Sequence, residues 1–357
     1  MRSLFPTVSA VSSAADLSLA PRTTLRLGGP ARALVEASST SELIDAVRSA
    51  DGAGEQLLLL GSGSNVVIAD AGFAGTVVRV ANRGVERERT AVGERWTIAA
   101  GEPWDEIVEL AVAEGLGGLE TLAGIPGLVG ATPIQNVGAY GGEVAEAIES
   151  VELYDRRAGS RTVLTAAECA FGYRTSRFKR DPGNVVLAVT FSLAQLPRSE
   201  PIAYAELARA LGVPLGASAP IGRVHEAVLE LRRSKGMVLD PSDHDTWSAG
   251  SFFTNPVLGT GQWSALAARC EVEPPCFPEP GGSVKTSAAW LIEQAGFPRG
   301  FGTGRARISG KHTLALTNRG GATTAELLEL ARTVRAGVEE RFGVRLEPEP
   351  VLVACEL

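Results

Sequence analysis

The chain has 357 residues, 45% of them hydrophobic and 21% charged, which excludes disordered and fibrous classes and leaves length for two or three cores. Its net charge of -7, from 34 basic and 41 acidic residues, argues against a nucleic-acid surface, since phosphate-backbone binding needs a concentrated basic face. A small anionic ligand stays open. The longest uncharged run, Thr121 to Gly142, carries six glycines and two prolines, so it is no membrane span.

The first twenty residues are a diluted Ser/Ala/Pro stretch without the apolar segment of a signal peptide, and they read as a loose leader. Downstream, Ala33–Ala37 is apolar and extended, Thr40-Ser41-Glu42 caps a helix to about Ala50, and Leu57–Leu60 predicts a buried strand. Val66–Ile68 also reads as strand. An amphipathic helix follows from Trp104 to Glu114, stopped by Gly115. Val151–Tyr154, Thr162–Leu164 and Val185–Leu193 predict further strands. Beyond Pro241 the clearest helices are Thr286–Ala295 and Thr324–Phe342, the latter with Leu327, Leu328, Ala331, Val334, Val338 and Phe342 on one face. Arg345–Val353 alternates as a proline-bearing edge strand. The pattern is α+β. Cys169, Cys270, Cys276 and Cys355 show no CxxC spacing, and with His225, His244 and His312 scattered, neither a metal site nor a disulfide framework is expected. A reducing cytoplasm fits that cysteine usage.

Five stretches could carry chemistry. Gly61-Ser62-Gly63-Ser64-Asn65 follows a strand, and its backbone amides could form a nest for phosphate oxygens; a tight inter-strand loop is the competing reading. It is not a dinucleotide fingerprint, because Val66 holds the third glycine position. From Ala123 to Gly142 the chain is too glycine-rich for a helix and too apolar for a solvated loop. A flat apolar ligand against the backbone, with Thr132, Gln135 and Asn136 supplying hydrogen bonds, would reconcile the two, as would a buried turn. Tyr173-Arg174, within FGYRTSRFKR, offers a planar fork for a carboxylate or an exposed arginine on a strand edge. Ser251 lies between Gly250 and Phe252-Phe253. No GxSxG elbow or paired base makes it a hydrolase nucleophile, whereas a neutral hydroxyl can deliver a proton without one, and a turn-capping serine would look the same. Glu347 and Glu349, two apart, would share one side of an extended chain, toward the interior or toward solvent.

In this order, the GSGSN loop, GIPGLVGATPIQNVGAYG, YRTSRFK and AGSFFTNP followed by LEPE resemble the MurB family of flavin-dependent UDP-N-acetylenolpyruvoylglucosamine reductases, in the first of its two structural types. The resemblance runs from Thr23 to Glu349. It implies an α+β fold with a two-lobed FAD-binding module of the vanillyl-alcohol-oxidase/MurB-like type, 1–82 (with the tail 346–357) and 83–240, and a third, substrate-binding α+β lobe, 241–345. A monomer is expected, and charge and composition argue against a membrane or nucleic-acid partner. FAD would be held non-covalently by Gly61, Ser62, Gly63, Ser64 and Asn65 at the pyrophosphate and by Gly124, Ile125, Gly127, Thr132, Gln135, Asn136, Gly138 and Ala139 along the flavin. NADPH would reduce the flavin, which would then pass hydride to the enolpyruvyl group of a UDP-sugar. The resemblance gives Arg174 and Glu349 the role of stabilising the resulting enolate-like charge and Ser251 that of proton donor. Tyr204, Asn255, Gln294 and Tyr173 would contact substrate. An oxygen-using FAD oxidase of the same wider fold is the alternative.

Overall fold

The computed structural model describes residues 17–357, apart from the Arg180 side chain, so the expected leader lies largely outside the described residues. The chain folds as two compact units, one of 32–62 and 74–234, the other of 17–31, 63–73 and 235–357.

The first unit has two hydrophobic clusters joined by one strand. Helix Thr40–Gly52 starts at Ser39, whose hydroxyl accepts from the Glu42 amide, and buries Leu43, Ala46, Val47 and Ala50 on one face. That face lies over a sheet ordered Ala31–Ala37, Phe73–Val80, Leu57–Leu60, the last two strands parallel. A six-stranded sheet runs Ser160–Thr165, Ile148–Asp155, Asn184–Gln195, Gly93–Ala99, Val85–Arg89, with Leu116–Gly117 also on Asn184–Gln195. A register shift opposite Glu152 and Leu153 breaks the alternation of the central strand between Val186 and Ala188, so Val185 and Leu187 face away from Val189, Phe191 and Leu193. The first two enter the smaller cluster, and the last three join the larger one with Trp104, Ile107 and Val108 of helix Trp104–Ala113. Gly130 is a packing requirement there, since a Cβ would stand 2.4 Å from that of Ala100.

The second unit holds small sheets: Ser248–Ser251, Ala315–Asn318, Ala306–Ile308; then Val257–Leu258, Val284–Lys285, Phe277–Pro278; and the parallel pair Val66–Ile68 and Val351–Val353. Helix Thr324–Phe342 covers its core with the predicted face. A capping box between Thr323 and Glu326 starts it, and Gly343 at φ 68 ends it.

Four local expectations are corrected. The first helix is capped by Ser39 instead of Thr40. Leu57–Leu60 is half-buried except at Leu60. The helix expected over Thr286–Ala295 spans Ala288–Gln294, because the Ser287 hydroxyl takes the Trp290 amide and caps it late. The tail strand shrinks to Val351–Val353, since Pro348 and Pro350 have no amide to donate. Among the described residues no helix is long and apolar enough to cross a membrane.

Candidate active site

The Gly61–Asn65 loop connects strands Leu57–Leu60 and Val66–Ile68. Among the described residues the amides of Gly61, Ser62, Gly63 and Ser64 donate no backbone hydrogen bond. The Ser62 hydroxyl is buried without a partner among the described residues. Consecutive spare donors and an orphaned hydroxyl are the chemistry a diphosphate satisfies. Gly63 serves a different purpose: at φ +65, a Cβ there would meet the Arg22 carbonyl at 2.2 Å. That close approach lets Thr24 donate its amide to the Gly63 carbonyl at 3.1 Å. Asn65 accepts the Val351 amide at 3.0 Å on its carbonyl, tying the loop to the tail strand.

In the first unit the glycine-rich stretch is a chain of turns and a two-stranded hairpin, Gly138–Ala139 with Gly142–Glu143. Ile125, Gly127, Gln135, Gly138 and Ala139 are half-buried, neither core nor solvated, as a surface for an apolar ligand requires. Among the described residues Ile125 and Gly127 donate no backbone hydrogen bond, whereas the Gly124 amide is held by Asp105. Thr132 and Asn136 are instead turned inward. The Thr132 hydroxyl, 3% exposed, donates to the Val129 carbonyl at 2.8 Å. Asn136, 1% exposed, donates through Nδ2 to Glu143 at 2.7 Å and to the Gly172 carbonyl at 3.2 Å, while Oδ1 accepts from the Ala145 amide at 3.1 Å.

Arg174 lies in a tight turn, not on a strand edge, with φ 50, closed by reciprocal bonds between Gly172 and Thr175. Its guanidinium donates to the carbonyls of Asn136 at 3.3 Å and Gly138 at 2.5 Å, faces Glu143 at 3.8 Å and lies over the Tyr173 ring. Ser176 caps the short helix after it and donates to the Ile134 carbonyl at 2.6 Å. Tyr204, 42% exposed, meets Tyr140 edge-on at 5.5 Å. Burial pushes the Tyr140 phenol up to about 12 and raises that of Tyr204. The structure thus gathers Tyr173, Arg174, Gly138 and Asn136, with Tyr140 and Glu143, which sequence reasoning did not single out as site residues. An acid directly after a paired glycine was the available signal for Glu143.

In the second unit Ser251 and Glu349 come together. Ser251 ends its strand opposite Ala315, and Phe252 and Phe253 behind it are both 1% exposed. The Phe252 carbonyl accepts the Glu349 amide at 2.9 Å, and Thr254 donates its amide to the Glu347 carbonyl at 3.0 Å, so the tail runs beside the serine strand. Ser251 and Glu349 are half-buried, while Glu347 is exposed; the two acids do not share an environment. Asn255 accepts the Ala288 amide at 2.9 Å at the start of helix Ala288–Gln294, and exposed Gln294 stands at its far end.

Residues 31–164 match the family model described as FAD binding domain, and residues 240–353 match that of the UDP-N-acetylenolpyruvoylglucosamine reductase C-terminal domain. The loop chemistry and the first match define a flavoprotein of the FAD-binding class. The UDP-N-acetylenolpyruvoylglucosamine reductase of Streptomyces coelicolor is 55% identical over 98% of this chain and 93% of its own, and that of Thermobifida fusca is 55% identical over 97% and 99%. A crystal structure of the reductase (MurB) from Thermus caldophilus superposes with a TM-score of 0.66 at 28% identity, covering 98% of this chain and all of that one. The chain belongs to the UDP-N-acetylenolpyruvoylglucosamine reductase family, as its motifs imply.

Proposed function

We propose that Arg174, Ser251 and Glu349 carry the reduction of an enolpyruvyl UDP-sugar in this protein. As a member of its family the protein is an FAD-dependent oxidoreductase of peptidoglycan precursor synthesis, with NADPH as co-substrate. The observation that supports the reading best is the Gly61–Ser64 loop, where, among the described residues, consecutive amides donate no backbone bond and the buried Ser62 hydroxyl has no partner. Gly61 to Asn65 hold the FAD diphosphate, and Gly124, Ile125, Gly127, Gln135, Gly138 and Ala139 bear on the flavin. Thr132 and Asn136 support that surface from within. Bound FAD supplies reversible two-electron storage between NADPH and the UDP-sugar, and no covalent link is required.

Adding hydride to one carbon of the enolpyruvyl double bond leaves negative charge on the other and on its carboxylate. Arg174 neutralises that charge, and its turn bonds preorganise the guanidinium for the task. Glu349 helps as a hydrogen-bond donor in its protonated form or by bonding to a cation. Ser251 already holds the proton that the second carbon takes up. Tyr173, Tyr204, Asn255 and Gln294 position the UDP-sugar. The same reading makes the protein a cytoplasmic monomer, with no membrane or nucleic-acid partner, in which the lobes 1–82, 83–240 and 241–345 divide cofactor from substrate binding.

Anaerobic half-reactions test it. NADPH should bleach the yellow protein, and the enolpyruvyl UDP-sugar should restore the colour. Ser251→Ala should bleach at the wild-type rate and recolour at least 100-fold more slowly; full turnover would remove Ser251 from the chemistry. Purified protein that retained no FAD would overturn the reading altogether.

A further inference from the structure

The second unit contains a cation that none of these roles uses. Arg26 follows Thr24 by two residues, and Thr24 is bonded to the phosphate-loop backbone: its amide donates to the Gly63 carbonyl at 3.1 Å and its hydroxyl to the Ser248 carbonyl at 2.7 Å. Arg26 sits at φ 52, a left-handed conformation that a long side chain adopts only when its surroundings impose it. Asn318 does so. Its Nδ2 donates to the carbonyls of Leu25 at 3.0 Å and Arg26 at 3.4 Å, and its own amide donates to the Trp247 carbonyl at 3.0 Å. One asparagine therefore fixes both members of a stack, in which the Arg26 guanidinium lies 4.7 Å from the centroid of the Trp247 ring. His244 closes it edge-on at 4.3 Å.

Stacking orients the guanidinium, and among the described residues the Arg26 side chain makes no hydrogen bond. Arg26 Nε and Trp247 Nε1 are both buried without a hydrogen-bond partner among the described residues. Arg319, Lys311 and Lys285 of this unit are each neutralised, by Asp245, Asp243 and Glu279, whereas Arg305 and Arg307 bond to backbone carbonyls. Arg26 has no such ion pair among the described residues. A cation held out of ordinary conformation, desolvated on one side and without an acid, calls for an anionic ligand. We propose that Arg26, stacked on Trp247, binds a diphosphate oxygen of a nucleotide, deepening the function proposed above and resting on it. FAD, the UDP-sugar and NADPH each carry a diphosphate, and the bonds of Thr24 to the loop place Arg26 closest in chain to the FAD anchor.

The test compares holoenzyme with Arg26→Gln, which keeps a planar side chain but drops the charge, and Arg26→Lys, which restores charge without the fork. FAD release on dilution, followed by flavin fluorescence, and the KM of the UDP-sugar and of NADPH are measured for each. Arg26→Gln should weaken one of these affinities at least 10-fold, with partial recovery in Arg26→Lys. Loss of FAD identifies the cofactor as the source of the diphosphate, and a raised KM with FAD retained identifies the substrate concerned. Affinities all within twofold of wild type would overturn the assignment. Wild-type protein without FAD would instead overturn the underlying reading. Trp247→Phe keeps a ring under the guanidinium and should alter the same affinity by less than Arg26→Gln does.

Discussion

Asn136 and Arg174 hold one another in left-handed backbone: the asparagine, at φ 48, reaches the Gly172 carbonyl with its amide, and the arginine, at φ 50, returns a guanidinium bond to the Asn136 carbonyl. Each strained residue is over-determined by the other's turn, which is how a rigid cationic head is built from loops. Asn136→Ala removes its bonds to Glu143 and the Gly172 carbonyl and leaves the Ala145 amide without its acceptor, and should cost about 1–3 kcal/mol of stability in urea denaturation. Asn136→Gly removes the same bonds but tolerates positive φ, so it should lie about 1 kcal/mol above the alanine variant. Equal losses would mean that the backbone conformation carries no strain.

Arg174→Ala should leave bleaching by NADPH intact and slow recolouring by the UDP-sugar about 100- to 1,000-fold, the effect of removing one contact to a developing anion. Arg174→Lys should recover only part, because an ammonium lacks the planar fork that spans both carbonyls and a carboxylate. Rapid-mixing absorbance separates the two half-reactions.

The tyrosine pair predicts an alkaline transition. The fold raises the Tyr140 phenol to about 12 and also raises Tyr204, both through burial, while unfolded tyrosines ionise near about 10. The neutral phenols therefore favour the folded state fully below about pH 10, and that contribution fades as pH rises toward about 12. Absorbance at alkaline pH should show Tyr140 and Tyr204 titrating late. Tyr204→Phe should remove one of them.

Thiol reactivity should follow burial. Cys169 is 0% exposed, and burial pushes its thiol up to about 11, whereas Cys276 is exposed. A chromogenic disulfide reagent at neutral pH should label Cys276 quickly and leave Cys169 unreacted until the protein unfolds. Prompt labelling of Cys169 would show that its cluster opens in the native state.

Two glycines should respond in opposite directions. Gly130→Ala forces a methyl group against Ala100 and should cost about 1–3 kcal/mol. Gly261→Ala, in helix Thr260–Ala267 with nothing within 4 Å of the new carbon, should stabilise by up to about 1 kcal/mol. Thermal denaturation of both checks the pair.

Residues close in the chain make much of this legible in the sequence. Helix Thr324–Phe342 has the predicted bounds because cap, apolar stripe and terminal glycine all agree within one segment. The ordered motifs named the family that the comparisons confirm. Long-range partners were not legible. Amphipathic period, capping residues and motif order depend on neighbours a few residues apart, and these the amino-acid string alone determined. That Asn136 turns inward to brace Arg174, that Glu349 lies beside the Ser251 strand while Glu347 faces water, and that Arg26 rests on Trp247 were decided only by tertiary packing. These contacts bridge separations that the loop between them must close, and nothing local records which distant carbonyl or ring will be there to meet the side chain.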